Sequence, residues 1–166
     1  MNLSFTIASA ADIPAIVSVL NQSSQVLTQQ YGKGHWNYQV NEKGIAYGMK
    51  GNSKVLLAKN EAEIIGTLRL ATKKPWAIDV SYFTPVEHPL YLVDMAVYPA
   101  WQRKGIGTYM LQQVKQIAVD WPAQSIRLDA YDHIAGAGAF YRKCGFTEKG
   151  RIVYRSTPLI YFEKLL

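Results

Sequence analysis

Cysteine is almost absent from the sequence, since Cys144 is the only one among 166 residues. One thiol cannot form an internal disulfide, so a disulfide-stabilised extracellular fold is excluded and a reducing, cytoplasmic compartment is expected. Long apolar runs are absent too: no window approaches the roughly 18 uninterrupted apolar residues of a membrane-spanning helix. Residues 1–11 also lack the basic start and apolar run of a signal peptide. We therefore expect no membrane partner.

Charge is sparse and unevenly distributed. Charged residues make up 18% of the sequence and hydrophobic residues 49%. Disordered chains have the opposite composition, with low hydrophobicity and high charge. Residues 1–98 contain 8 basic and 7 acidic residues, whereas residues 99–166 contain 10 and 5, so the carboxy-terminal part carries most of the net charge of +6. No run of Lys or Arg exceeds two residues, and no nucleic-acid-binding motif is present. The basic excess predicts a compact anionic ligand, with a nucleic-acid-binding domain as the lesser alternative.

Helical and strand patterns alternate along a length that fits one domain, residues 1–166. Strands are predicted over residues 4–7, 54–59, 63–70, 90–97, 125–131, 147–155 and 159–165. Helices are predicted from Ile13 to the low twenties, over about 38–49, from Gly105 to Pro122 and over 137–144. Residues 21–36 are polar and ambiguous, and the proline-broken segment 71–89 predicts an irregular loop. The hairpins imply antiparallel pairing, and the strand, helix and strand over 90–131 imply one right-handed parallel crossover.

The sharpest local signal is the segment Gln102-Arg103-Lys104-Gly105-Ile106-Gly107, which lies between an apolar strand and a helix. Glycines at such a junction let successive backbone N–H groups point into one concavity, where the helix dipole adds positive potential. The segment therefore predicts a pyrophosphate site. It lacks the Gly-Lys-Ser/Thr of a P-loop and the third glycine of a dinucleotide fingerprint. A tight turn with two solvated basic residues is the alternative.

Two motifs in order resemble the signatures of the GNAT superfamily of N-acetyltransferases. Residues 97–107, Val-Tyr-Pro-Ala-Trp-Gln-Arg-Lys-Gly-Ile-Gly, are similar to its acyl-CoA-binding signature. Residues 137–146, Ala-Gly-Ala-Phe-Tyr-Arg-Lys-Cys-Gly-Phe, are similar to its second signature. The resemblance implies a mixed α/β, GNAT-like fold whose central, mostly antiparallel twisted sheet has a splayed parallel strand pair and is flanked by helices.

The resemblance also implies acetyl-CoA as cosubstrate, without a metal, and an acetyl transfer to a primary amine by direct attack in a ternary complex. The backbone of six residues would hold the pyrophosphate: Gln102, Arg103, Lys104, Gly105, Ile106 and Gly107. The main chain of Met95, Ala96 and Val97 would pair with the pantetheine arm like an added strand. Tyr141 matches the position that protonates the departing thiolate in many relatives.

Other interpretations of these residues stay open. A tyrosine on an apolar helix face is often a core residue with a satisfied hydroxyl, and close packing explains Gly136 and Gly138 as well as cofactor contact does. Relatives often have Asn where Ile134 stands, which leaves one polar cofactor contact in doubt. Cys144 has no adjacent base in the sequence, so it predicts an inert thiol. No His has metal-ligand spacing with another His or Cys.

The sequence does not identify the general base. Relatives often place Glu or His on the fourth strand at positions that match Tyr91 and Val93, and neither residue is a good base. Asp94 has the opposite strand parity and would face away from the acceptor unless a bulge turns it inward. The other candidates are Glu87, His88, Asp129, Asp132, His133 and a water chain.

The acceptor is equally open. Five aromatic residues could line an acceptor cleft or be ordinary core and lid packing: Trp36, Tyr38, Trp76, Tyr82 and Phe83. A small amine, an amino acid, an antibiotic and a peptide amino terminus all fit, as do an acetyl or a longer acyl donor and a monomer or a homodimer. A CoA-binding regulatory module without acetyl transfer is the first alternative function.

Overall fold

The computed structural model describes all of residues 1–166 and contains one seven-stranded sheet. The strands are β1 Leu3–Ile7, β2 Ser53–Asn60, β3 Glu63–Ala71, β4 Pro89–Val97, β5 Ser125–Tyr131, β6 Thr147–Tyr154 and β7 Thr157–Leu165. They lie in the order β1-β2-β3-β4-β5-β7-β6. Only β4 and β5 pair in parallel, and every other neighbouring pair is antiparallel. The predicted mixed α/β fold is confirmed.

Four helices cover the two faces of this sheet: α1 Ile13–Tyr31, α2 Glu42–Gly48, α3 Ile106–Asp120 and α4 Gly138–Lys143. Alternation along β2 separates the two layers, because Leu56 and Ala58 belong to the core that α3 covers, whereas Val55 and Leu57 pack beneath α1. We call these the α3 face and the α1 face. None of the helices combines the length and apolar character needed to cross a bilayer.

The expectation that α1 ends in the low twenties is wrong. The helix continues through the polar residues to Tyr31, because tertiary contacts satisfy their side chains. The buried Ser24 hydroxyl donates to the Trp36 carbonyl at 2.5 Å, and the Thr28 hydroxyl lies 3.2 Å from the Asn37 side-chain oxygen. Gly32, with φ of +79°, then ends the helix.

Two other boundaries differ from expectation. The helix expected over about 38–49 begins only at Glu42, where the Asn41 side chain accepts the Gly44 N–H at 2.8 Å. The last hairpin is tighter than predicted, because Arg155 and Ser156 both have positive φ and form a two-residue turn. Thr157 and Pro158, which the sequence placed in the connection, therefore belong to β7.

Candidate active site

A gap opens in the middle of the sheet where β4 and β5 diverge. The two strands pair only over residues 89–91 and 125–127, and beyond these three pairs no register connects them. The carboxyl ends of both strands therefore face each other across open space. This is the splay that the sequence resemblance implied, and it exposes the edge of β4 inside the sheet.

The main chain of Met95 and Val97 points into this gap. Tyr98 donates its N–H to the Ile65 carbonyl at 2.7 Å, and residues of an antiparallel pair alternate between bonding across the pair and away from it. Ala96, which lies opposite Thr67, therefore bonds to β3, and its two neighbours turn their N–H and C=O groups toward β5. The Val97 carbonyl already accepts hydrogen bonds from the Gln102 amide and the Ser23 hydroxyl. The groups of this edge that remain open to an extended ligand are the N–H and C=O of Met95 and the N–H of Val97.

The glycine loop at the end of β4 presents a second set of free donors. Arg103 and Gly105 both have positive φ, at 60° and 83°, and this curls the backbone ahead of α3. The amides of residues 103–108 donate no hydrogen bond within the protein. Arg103 and Lys104 are exposed beside them. Such an array of amides at a helix N-terminus fits the diphosphate of CoA.

The remaining residues of this loop anchor it. The Gln102 amide group donates to the Val97 carbonyl at 3.0 Å, which ties the loop to the edge of the gap. Ile106, the first residue of α3, is buried in the core. A Cβ on Gly107 would lie 3.1 Å from the Phe140 ring and 3.2 Å from Met95, so this glycine allows α3 to approach α4. Gly105 is the residue that the loop conformation itself requires.

Tyr141 reaches the gap from the α3 face. Its side chain is buried against Phe140, Phe146 and Phe162, and its hydroxyl has one polar partner, the Met95 sulfur at 3.9 Å. A thioether is a weak acceptor, so this hydroxyl is less well satisfied than is usual for a buried tyrosine. Burial raises the pKa of Tyr141, and the nearby Asp129, Cys144 and Asp94 raise it further. The phenol is therefore a protonated group beside the gap.

A bulge in β4 places Asp94 on the α1 face. Arg69 pairs with Asp94, and Leu70 pairs with Leu92, so Val93 is left without a partner on β3. The extra residue reverses which face of the sheet each following side chain lies on. Asp94 therefore lies on the α1 face, where it forms an ion pair with Arg69 at 2.8 Å. From the sequence, Asp94 could face the acceptor only if a bulge turned it inward, and β4 contains that bulge. Arg69, which the sequence reasoning missed, is the ion-pair partner of Asp94.

Asp129 approaches the gap from β5 on the same face. Its carboxylate forms no ion pair and accepts no hydrogen bond from another residue. Burial raises the pKa of Asp129, and the charge of Asp94 raises it further, against a hydrogen bond from its own backbone N–H. A carboxylate with a raised pKa is a stronger base than an ordinary aspartate.

The other proposed bases lie elsewhere. Glu87 and His88 precede β4 at the paired end of the two strands, six or more residues from Asp94, which is about 20 Å along an extended strand. Asp132 accepts hydrogen bonds from Arg151 at 3.0 and 3.1 Å on the surface. The His133 ring nitrogen Nδ1 accepts the Ala135 N–H at 3.0 Å.

Some of the five aromatic residues proposed to line an acceptor cleft pack against the protein, and others are exposed. Phe83 is buried against Tyr161, and Tyr82 packs edge-on to the same ring, so both hold the 72–88 segment onto β7. Trp76 is 83% exposed and Tyr38 is 71% exposed. Only Trp36 contacts the end of β5, where its ring lies 4.7 Å from that of His133. The structure does not join the five rings into one wall.

Comparison with known proteins supplies the deciding observation. The model of the acetyltransferase (GNAT) family matches residues 21–146. The chain belongs to the GNAT family. That range spans the gap, the glycine loop and Tyr141. The shared fold therefore contains every element that forms the candidate site.

Individual relatives show how far the similarity extends. PaiA N-acetyltransferase from Thermoplasma acidophilum, solved with coenzyme A, superposes with a TM-score of 0.77 at 15% identity over 100% of both chains. Ribosomal-protein-alanine N-acetyltransferase from Brucella melitensis gives a TM-score of 0.74 at 19% identity, covering 98% of this chain and 99% of that one. At these identities the likeness concerns the fold alone.

One curated relative aligns over a shorter stretch. Aminoglycoside N(6')-acetyltransferase type 1 from Stenotrophomonas maltophilia is 33% identical over 69 residues. The alignment covers 42% of this GNAT chain and 45% of the relative, so the match spans slightly less than half of that protein.

Replacing Gly105 with aspartate should weaken CoA binding by about 10–100-fold, because a carboxylate there repels the diphosphate across a few ångströms. Gly105→Asn is the matched control, since it has the same shape and the same positive-φ strain without the charge. Titration calorimetry with CoA measures both affinities. Equal affinities for the two variants would contradict an anion site at this loop. Gly107 is unsuitable for this test because a side chain there meets Phe140.

Proposed function

We propose that residues 1–166 form one acetyltransferase domain that transfers the acetyl group of acetyl-CoA to a primary amine by direct attack in a ternary complex. The observation that carries this proposal is the gap between β4 and β5, which has a protonated phenol on one face and an unpaired carboxylate on the other. Acetyl-CoA would supply an activated acyl thioester in that gap.

The residues of this chain that would hold the cosubstrate are main-chain groups. The free amides of 103–108 fit the diphosphate, with Arg103 and Lys104 adding positive charge. The N–H and C=O groups of Met95 and the N–H of Val97 fit the pantetheine arm as an added strand. A ligand held by backbone at both ends has its acyl group positioned beside Tyr141.

Two side chains would move the protons. Asp129 accepts a proton from the acceptor ammonium, which frees the nitrogen lone pair to form the new C–N bond. Tyr141 donates its proton as the C–S bond breaks, so that the leaving group departs as a thiol. The second proton that the nitrogen loses as the amide forms returns to the Tyr141 oxygen by way of solvent, and Asp129 releases its proton to solvent. Asp94, held by Arg69, keeps the acceptor side of the gap polar. The cavity of about 40 Å³ beside Asp94 is large enough for a water.

The printed functions of two relatives support an amine acceptor. One relative is named for acetylating an aminoglycoside nitrogen and another for acetylating a ribosomal-protein alanine. These acceptors differ greatly in size, yet both present an amino group. The proposal therefore extends to a primary amine as the acceptor class.

Thiol release from acetyl-CoA in the presence of an amine panel tests the proposed function. Release that depends on both substrates, with intersecting rather than parallel double-reciprocal plots, is the expected result for direct attack. Parallel plots would indicate an acyl-enzyme and contradict the mechanism. CoA binding with no acetyl transfer to any amine would favour a regulatory CoA-binding module instead.

A further inference from the structure

We propose that the acceptor is a compact free amine and not the amino terminus of a polypeptide, because a bridge of side chains closes the end of the acceptor cleft. This inference rests on the proposed function. The bridge joins the segment between α1 and α2, residues 32–41, to the ends of β5 and β7. It lies on the α1 face, across the mouth of the gap.

Direct contacts form the bridge. The Tyr131 hydroxyl at the end of β5 donates to the His35 carbonyl at 3.0 Å. The His35 ring nitrogen Nδ1 lies 3.0 Å from the Thr157 hydroxyl at the start of β7. Trp36 is 8% exposed, with its ring against Tyr131 and His133. Three residues outside the segment, Tyr131, His133 and Thr157, therefore hold the 32–41 segment in place.

The contacts of α1 explain why this bridge spans the gap. The helix packs on β3 and β4, one side of the gap, and the Ser23 hydroxyl donates to the Val97 carbonyl at the end of β4. The segment that follows the helix contacts β5 and β7, on the other side. The chain thus crosses from one side of the opening to the other over the strand ends.

The wall on the β5 side is also fixed. Tyr161 accepts the Asp79 N–H at 3.0 Å, and the buried Glu163 accepts the Thr84 N–H and hydroxyl at 3.1 and 2.7 Å. Arg127 ion-pairs with Glu163 at 3.3 Å and donates to the Thr84 carbonyl at 2.6 Å. Hydrogen bonds at Asp79 and Thr84 therefore fix the 72–88 segment to β5 and β7.

A polypeptide acceptor requires space and contacts for more than its reacting nitrogen. Its flanking peptide groups require hydrogen-bonding partners and a path away from the site. The bridge occupies the path past the strand ends. A small amine has no flanking peptide groups, and it needs only the unpaired Asp129 to match its charge.

Competition between acceptor classes tests the inference. Small mono- and diamines, an aminoglycoside, and hexapeptides with free amino termini are compared by thiol release at equal concentrations. The expected result is a kcat/KM for the best small amine about 100-fold above that for the best peptide. Peptides that match or exceed the small amines overturn the inference and leave the proposed function intact. Transfer to neither class, with CoA still bound, overturns the proposed function and the inference together.

Opening the bridge gives a second test. Thr157→Val keeps the side-chain shape and removes the hydroxyl partner of His35, and His35→Ala removes the ring. Both variants should reduce the preference for small amines over peptides by about tenfold. Thr147→Val and His88→Ala are matched controls, since both lie outside the bridge. An unchanged preference in variants with wild-type melting curves overturns the role of the bridge.

Discussion

Tyr141→Phe is expected to lower the rate of acetyl transfer by about 10²–10⁴-fold, the usual contribution of a general acid. The substitution keeps the ring that packs among Phe140, Phe146 and Phe162 and removes only the proton donor. The hydroxyl has no partner stronger than the Met95 sulfur at 3.9 Å, so the melting temperature and the affinity for acetyl-CoA should change little. Single-turnover rates measure the effect without interference from product release.

A structural role for Tyr141 makes the opposite prediction. The loss of a stabilising hydrogen bond would lower the melting temperature and leave acyl transfer within about twofold of wild type, well outside the general-acid range. That outcome would leave solvent as the proton donor. Tyr47→Phe serves as the control, because this tyrosine is 76% exposed on α2 and its loss of a hydroxyl should affect neither measurement.

Asp129→Asn is expected to lower kcat/KM by about 10²–10⁴-fold through loss of the general base. The wild-type profile should rise with pH as Asp129 loses its proton, with an apparent pKa above the ordinary aspartate value because burial and the charge of Asp94 raise it. This rise at acidic pH should be absent from the pH profile of Asp129→Asn. Because the folded state raises this pKa, the ionised carboxylate destabilises the fold at neutral pH. Neutral asparagine should therefore raise the melting temperature.

Asp132→Asn is the matched control for Asp129. This carboxylate lies just after β5 but faces Arg151 on the surface, so its substitution should leave turnover and its pH profile near wild type. An Asp129→Asn variant that keeps this rise at acidic pH and most of its activity would refute the base assignment. A variant that instead melts at lower temperature would indicate a structural carboxylate.

Local sequence signals accounted for most of the elements because each depends on neighbouring residues. Glycine at 105 permits the positive φ that starts α3, and short apolar runs specify β2 and β3. The sequence predictions were wrong where contacts with residues distant in the chain outweighed the local secondary-structure preference. Ser24 and Thr28 lower helix propensity in isolation, yet α1 continues through them because Trp36, which lies beyond the helix, accepts the buried Ser24 hydroxyl.

The sequence by itself determined the mixed α/β fold, the glycine loop with its free amides, and the position of Tyr141 after the crossover. Each is encoded within a short segment whose spacing sets the backbone or the helix face. Only the tertiary structure decided which carboxylates reach the gap. The bulge at Val93 turns Asp94 onto the α1 face, and Arg69 from β3 then forms an ion pair with it. Pairing between strands distant in sequence sets that register, so strand parity alone could not identify Asp129 as the unpaired carboxylate.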